Sequence, residues 1–228
     1  MSTLYIVATP IGNLSDISLR ALDVLRSVYL ILCEDTRVTK KLLDRYQIVV
    51  PTISYHQHSQ IKKIEYILNL LKSGKDLALV SDAGTPGVSD PGNKLINLII
   101  KELNNVTIVP LPGPSAITAA ASISGFPMDR FFFAGFPPAK RKRNKFFEKI
   151  AKSEYPVIFY ESPHRILKTL QELDTITKNH KLKIQLTVCR ELTKKFEIIY
   201  RGKIEDILNK IKLSRIRGEF VVVADNLN

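Results

Sequence analysis

Apolar residues fall along this chain in short runs, and most runs end in a polar loop that leads into apolar positions at helical spacing. Leu4–Ala8 is the first, with no polar alternation, as a strand buried on both faces requires. It ends in Thr9-Pro10-Ile11-Gly12-Asn13, and Ser18 then stands ahead of Leu19, Leu22 and Leu25, the one-face spacing of a capped helix. Tyr29–Cys33 repeats the strand pattern, meets the charged cluster Glu34-Asp35-Thr36-Arg37, and passes into a helix marked by Leu42, Leu43 and Tyr46. Thr52–Tyr55 predicts a short strand, His56-Gln57-His58 a polar loop, and Ile61–Leu71 a helix closed by Gly74. Leu77–Val80 predicts a strand, Ser81–Gly92 a long loop, and Leu95–Leu103 a helix that Asp90-Pro91 would cap. Val106–Leu111 is a further strand, the turn Pro112-Gly113-Pro114-Ser115-Ala116 marks the boundary, and the small-residue helix Ile117–Ile123 follows it. This rhythm predicts an α/β fold whose first domain, residues 1–113, has a mostly parallel sheet with crossover helices.

The second half, residues 114–228, reads as another α/β domain. Arg130–Gly135 predicts an aromatic strand in which Phe131-Phe132-Phe133 belong to the core. The run Lys140-Arg141-Lys142-Arg143-Asn144-Lys145 leads into a helix carrying Phe146, Phe147 and Ile150. Val157–Tyr160 is a strand ending at Glu161-Ser162-Pro163-His164-Arg165, followed by a helix through Ile166, Leu170 and Leu173. Lys183–Cys189 is a strand ending at Arg190-Glu191-Leu192-Thr193-Lys194. A strand at Glu197–Arg201, a helix at Ile204–Leu213 and a last strand at Gly218–Ala224 follow.

Charge changes the picture of that second half. Residues 1–120 carry 12 Lys and Arg against 10 Asp and Glu, whereas residues 121–228 carry 22 against 12. A basic half suggests a polyanionic partner, RNA or DNA ahead of a membrane. Cys33 and Cys189 stand in separate apolar strands, a pattern of buried thiols rather than a disulfide. Two cysteines and four scattered histidines show no metal-ligand spacing, so no metal is expected. The N-terminal apolar run is too short for a signal or membrane segment, and a cytoplasmic protein is expected.

The candidate chemistry sits in five strand-end loops: Thr9–Asn13, Glu34–Arg37, Asp82–Gly92, Gly113–Ala116 and Glu161–Arg165. Strand ends of a parallel sheet lie on one side, where loops converge on a ligand. No G-x-G-x-x-G, phosphate-cradling P-loop or G-x-S-x-G elbow occurs, which disfavours a dinucleotide site, a nucleotide-triphosphate site and a serine hydrolase.

Seven segments then carry a resemblance. They are Tyr5–Leu14, Glu34–Arg37, Ser81–Pro86, Ser89–Gly92, Pro110–Ala116, Phe159–Arg165 and Arg190–Lys194. In this order the chain closely resembles the bacterial 16S ribosomal RNA (cytidine-2′-O-)-methyltransferases, a branch of the tetrapyrrole (corrin/porphyrin) methylase superfamily. The resemblance implies two α/β domains with S-adenosyl-L-methionine in the cleft between them, and a homodimer. It implies methyl transfer to the ribose 2′-oxygen of a cytidine in the decoding region of 16S rRNA, within the small ribosomal subunit. Members of that branch often carry a small helical extension beyond the point where this sequence ends.

By that match, Asp82, Ala83, Gly84, Thr85, Ser115 and Ala116 are expected to hold the cofactor, Pro10 to line the cleft, and Tyr160 and Leu192 to contribute from the second domain. Displacement at a sulfonium needs mainly alignment of the 2′-oxygen, plus a group to take its proton. Glu34, Asp35 and Glu161 are the candidate bases, each with an alternative role as a salt-bridge partner of Arg37 or Arg165. Arg37, Arg165 and Arg190 could hold phosphates or order these carboxylates, with Lys194 a similar candidate. Lys140, Arg141, Lys142 and Arg143 are expected at an RNA backbone. His56, His58 and His164 read as solvated or capping residues. Two further readings stay open: a tetrapyrrole C-methyltransferase, and a non-catalytic RNA-binding protein on the same scaffold.

Overall fold

The computed structural model describes residues 1–56, 61–90 and 92–227. Gln57, His58 and Pro91, read above as parts of a polar loop and a helix cap, lie outside the described residues. The chain forms two compact units, Met1–Ser115 and Ala116–Asn228.

The first unit alternates strand and helix: β1 Ser2–Val7, α1 Leu19–Ser27, β2 Leu30–Cys33, α2 Thr36–Arg45, β3 Thr52–Ser54, α3 Ile61–Lys72, β4 Leu77–Val80, α4 Asn93–Glu102 and β5 Val106–Leu111. A single 3₁₀ turn at Leu14–Asp16 precedes α1. The Ser18 side chain accepts from the Ala21 N–H, the cap expected from sequence. The five strands pair in parallel in the order β3-β2-β4-β1-β5. β2 and β4 are buried at every position, as a sheet covered on both faces requires.

Alternate residues of these strands enter two separate cores. Val7, Ile31, Cys33, Ala78 and Val80 pack with Leu22 and Leu25 of α1 and Leu42 and Leu43 of α2. Leu4, Ile6, Leu30, Leu32, Leu77 and Leu79 pack with Ile67 and Leu71 of α3 and Leu95 and Ile99 of α4. The helix that follows β1 therefore covers one face, and the helix that follows its neighbour β4 covers the other. At that pair of strands the loops leave in opposite directions, which opens a crevice beyond the carboxyl ends of the strands.

The second unit has a different plan. Its elements are α5 Ala116–Ser124, β6 Phe132–Phe133, α6 Arg143–Ala151, β7 Val157–Glu161, α7 Ile166–Asn179, β8 Ile184–Arg190, β9 Ile198–Gly202, α8 Ile204–Lys212 and β10 Phe220–Asn226. The sheet order is β6-β7-β10-β8-β9, and only β6 and β7 are parallel. The loop Glu161–Arg165 therefore follows a strand of a mixed sheet. The helices α6, α7 and α8 cover one face through Phe147, Leu170, Leu173 and Ile207 against Phe159, Val188 and Val222. On the other face α5 lies against β8 and β10, and its last residue accepts from Thr187 Oγ1 at 2.9 Å.

The aromatic strand is shorter than its sequence suggests. β6 pairs over only two residues, and Phe132 is 58% exposed and Phe131 36%. Phe133 alone turns inward, its ring 5.0 Å from that of Tyr160 in an edge-on contact. Phe159, by contrast, is fully buried and meets Phe146 and Phe147 edge to face. Phe159→Ala should lower the stability of the chain to urea by about 3–5 kcal/mol, through lost transfer energy and an unfilled cavity. A loss below about 1 kcal/mol would mean that the site collapses around the smaller side chain.

Candidate functional site

Four loops meet at the carboxyl end of the parallel sheet. Thr9, just past β1, and Gly84, past β4, exchange two backbone hydrogen bonds of 2.9 and 3.0 Å. Thr9 Oγ1 also donates to Ser81 O at 3.0 Å, which ties the roots of the two loops together. Gly84 adopts φ +83°, a left-handed conformation that costs glycine little, and a Cβ there would lie 3.6 Å from Ile11 and 3.8 Å from Pro114 O. A Cβ on Gly113 would come within 3.0 Å of Ala8 Cβ. The β2 loop joins through the Asp35 N–H, which donates to Asp82 Oδ1 at 3.0 Å. Pro10 is buried among these loops, Ser115 and Ala116 are half-buried, and Asp82 and Ala83 are exposed.

The carboxylates at this end are sorted by their surroundings. Asp35 caps α2, accepting from the Arg37 N–H at 2.8 Å, and its oxygens grip the Arg37 guanidinium at 2.6–3.2 Å. Those hydrogen bonds hold its carboxyl down at about 2. Glu34, one residue earlier, has no such partner. Its Oε1 is buried and finds no hydrogen bond among the described residues. Burial, then the negative charges of Asp90 and Asp82, push the Glu34 carboxyl up to about 7. Asp90 is raised to about 6, mainly by burial and secondarily by Asp82, against a lowering hydrogen bond with Ser81.

Asp90 was expected to cap α4. The cap position is instead Gly92, with no side-chain cap, and Asp90 turns to Ser81. Its place beside Glu34 is the part of the site that sequence reasoning missed. The only signal for it was a second aspartate in a loop too long for a plain connector.

The second unit corrects several expectations. Glu161 is 1% exposed and fully engaged: Oε1 accepts from the Ser162 N–H at 2.7 Å and pairs with Arg165 at 2.8 Å, and Oε2 accepts from Thr169 Oγ1 at 2.5 Å. It is a buried anchor at the end of β7, with both oxygens already accepting hydrogen bonds and a guanidinium paired to one of them. Arg165 is held by that pair and by donation to Pro137 O. Arg190 is 9% exposed and its Nε donates to Arg217 O at 2.8 Å. Lys194 bridges Glu191 and Glu219 at 2.9 and 2.8 Å. Arg37 stays at its own carboxylate, though its side chain is 87% exposed. Tyr160 is half-buried against Phe133 and Phe136. Leu192 is buried between two left-handed residues, Glu191 at φ 53° and Thr193 at φ 63°.

The basic run divides in the same way. Lys140, Arg141 and Lys142 are exposed. Arg143 is not: it is 5% exposed, pairs with Glu172 at 2.7 Å, and donates to Thr169 Oγ1 and Pro138 O. It pins the start of α6 to α7 and cannot reach a nucleic acid. Among the described residues, no helix is long and apolar enough to cross a membrane, and no group of three or more His, Cys, Asp or Glu is placed to hold a metal ion. Cys33 and Cys189 are both free and buried.

The comparisons with known proteins agree on one family. The family model described as Tetrapyrrole (Corrin/Porphyrin) Methylases matches residues 3–208. Relatives named ribosomal RNA small subunit methyltransferase I include those of Synechocystis sp., 44% identical over 98% of this chain and 78% of theirs, and of Thermotoga maritima, 43% identical over 98% of each. Among solved structures, a cobalamin biosynthetic enzyme, cobalt precorrin-4 methyltransferase, superposes with TM-score 0.72 at 18% identity, covering 97% of this chain and 94% of that one. A diphthine synthase gives 0.73 at 13% identity, covering 98% and 89%. At such identities these structures establish the fold.

Two measurements check the assignments of charge. A carboxyl raised on folding binds its proton more tightly in the native state, so native stability falls as pH rises from the unfolded value to the folded one. For Glu34 that window runs from 4.5 to about 7. Glu34→Gln should therefore gain stability relative to the unaltered protein as pH rises through that window, with no further gain above it, in melting curves at stepped pH. Arg143→Ala should cost about 2–4 kcal/mol of stability by breaking a buried ion pair. Its RNA affinity per folded molecule should stay unchanged, and a loss of affinity without loss of stability would return Arg143 to the surface set.

Proposed function

The chain belongs to the tetrapyrrole (corrin/porphyrin) methylases, and from that premise we propose that it is an S-adenosyl-L-methionine-dependent methyltransferase. Its proposed substrate is the ribose 2′-hydroxyl of a cytidine in 16S rRNA, in the cytoplasmic small ribosomal subunit. The observation that carries this reading is the carboxyl of Glu34, whose Oε1 is buried without a hydrogen bond among the described residues and which is raised to about 7 beside Asp82 and Asp90. The names of the relatives at 43–44% identity supply the RNA.

The residues present suit a cationic cofactor without phosphate. Glu34, Asp82 and Asp90 make the mouth of the crevice acidic, which favours a positive ligand. Asp82 and Ala83 are exposed, Gly84 lets the backbone come close, and Thr85, Ser115, Ala116 and Pro10 are the further residues this reading assigns to the cofactor. When bound, the cofactor supplies an activated methyl group on a sulfonium that leaves as a neutral thioether. The part left to the protein is to align the 2′-oxygen and receive its proton. Alignment alone is worth several kcal/mol, up to about 7–11 in the best-oriented systems.

Glu34 is the proton acceptor in this reading. An acceptor works best when its pKa lies near the working pH, and Glu34 at about 7 meets that condition while Asp35 at about 2 does not. Lys140, Arg141 and Lys142 hold the RNA backbone. They precede the N-terminus of α6, where the helix dipole disfavours cations, so helix stability does not account for them. The tetrapyrrole C-methyltransferase is the second reading, favoured by the fold likeness to the cobalt precorrin-4 enzyme.

Incubation with labelled S-adenosylmethionine and immature small subunits should place label on 16S rRNA as 2′-O-methylcytidine. Transfer to a corrin or porphyrin precursor, with none to any RNA, would reject the RNA assignment. Glu34→Gln should lower kcat at saturating cofactor by about 10²-fold or more. In the unaltered protein kcat/KM, which reports the free enzyme, should rise with pH to about 7 and level off above it, because the acceptor must be ionised.

A further inference from the structure

One edge of the second unit is left unexplained by its packing. β6 is two residues long and forms the outer strand of the sheet. Phe131 and Phe132, which its own core does not cover, stand 36% and 58% exposed there. The Phe132 ring lies 6.0 Å from that of Tyr155, tilted by 54°. Arg130 completes the group: its Nη1 donates to Tyr155 Oη at 3.1 Å, and its guanidinium carbon sits 5.8 Å from the centre of the same ring. A positive charge is thus held over the Tyr155 ring, which itself adjoins the exposed Phe132 ring, at the start of a half of the chain with 22 Lys and Arg against 12 Asp and Glu.

Two kinds of partner could cover such an edge. A protein strand would add to β6 through backbone hydrogen bonds, but two paired residues present too few groups to template one. A single-stranded nucleic acid needs no backbone register. It needs a ring face for an unstacked base and a cation for the adjoining phosphate. Both are present, and the chain's charge has the matching sign. We infer that the edge formed by Arg130, Phe131, Phe132 and Tyr155 is a docking surface for an unpaired nucleotide of single-stranded RNA, with the base on Phe132 and the phosphate on Arg130. This deepens the RNA reading proposed above and rests on it.

The test uses the full chain and a fluorescein-labelled single-stranded oligoribonucleotide, with a duplex of the same sequence as control. Phe132→Leu keeps apolar bulk at an exposed site but removes the ring, and should weaken single-strand binding roughly five- to a hundredfold. Phe132→Trp should restore it. The slope of log affinity against log salt should stay unchanged in Phe132→Leu, because no charge is lost, and should fall by about one in Arg130→Ala. Melting curves of each variant confirm that the fold is kept. Unchanged single-strand affinity in Phe132→Leu overturns the inference, and so does an equal loss for the duplex. Conversion of a dimer to a monomer with RNA affinity intact assigns the edge to a second copy of the chain and overturns it as well. If the unaltered protein neither binds nor methylates RNA, it is the proposed function that fails. If it methylates RNA and Phe132→Leu does so with the same KM, the docking surface alone is wrong.

Discussion

The structure of the first unit depends on a single constraint: β1 and β4 are neighbours whose crossover helices must lie on opposite faces of one sheet. Side chains alternate along each strand, so the sheet can fill two cores only if helices cover both sides. Once α1 takes one face and α4 the other, the two loops must diverge. The chain closes that divergence at its root with the Thr9–Gly84 backbone pair and leaves it open above. A polar, glycine-bearing opening at the end of a buried sheet is thus a consequence of how the core is filled, and the chemistry of the site is built on it.

Desolvation then decides what the acidic residues at that opening can do. Glu34 and Asp35 are adjacent in sequence and similar in type, yet their carboxyls lie about five units apart, at about 7 and about 2. The difference comes from partners. Asp35 receives a guanidinium and a backbone N–H, whereas Glu34 is buried beside further negative charge. Pairs of carboxyls pushed apart in this way mark a division between a structural role and a chemical one.

The strands and helices were legible in the sequence because their apolar runs are short, separated and cleanly periodic. β4, β5 and β7 start where the apolar runs predict them, and Ser18 caps α1 as expected. The roles of individual charges were not legible, because a role is set by the partner and not by the residue type. Arg143 stands in a run of cations but is drawn inward by Glu172 and Thr169, two residues that lie on a later helix. Glu161 stands at a strand end like Glu34, yet Thr169, Ser162 and Arg165 saturate it. Phe131 and Phe132 fit a core strand by composition, but a strand that pairs over two residues at a sheet edge cannot bury both. Asp90 fits a helix cap by spacing, but the cap falls two residues later.

The ion pair of Asp35 and Arg37 has a consequence for Glu34. In the ligand-free protein a carboxyl raised to about 7 has no cation close by, since an opposite charge within about 4–6 Å would favour ionisation and draw its pKa down by roughly 1–3 units. Arg37 is the nearest cation to Glu34 in sequence, and its guanidinium is occupied by Asp35 on both oxygens. Asp35 in turn is fixed by capping α2, so the pair cannot swing without giving up a helix cap worth about 1 kcal/mol. Asp35 therefore takes up the Arg37 charge, while Glu34 is shifted by burial and by the negative charges of Asp90 and Asp82.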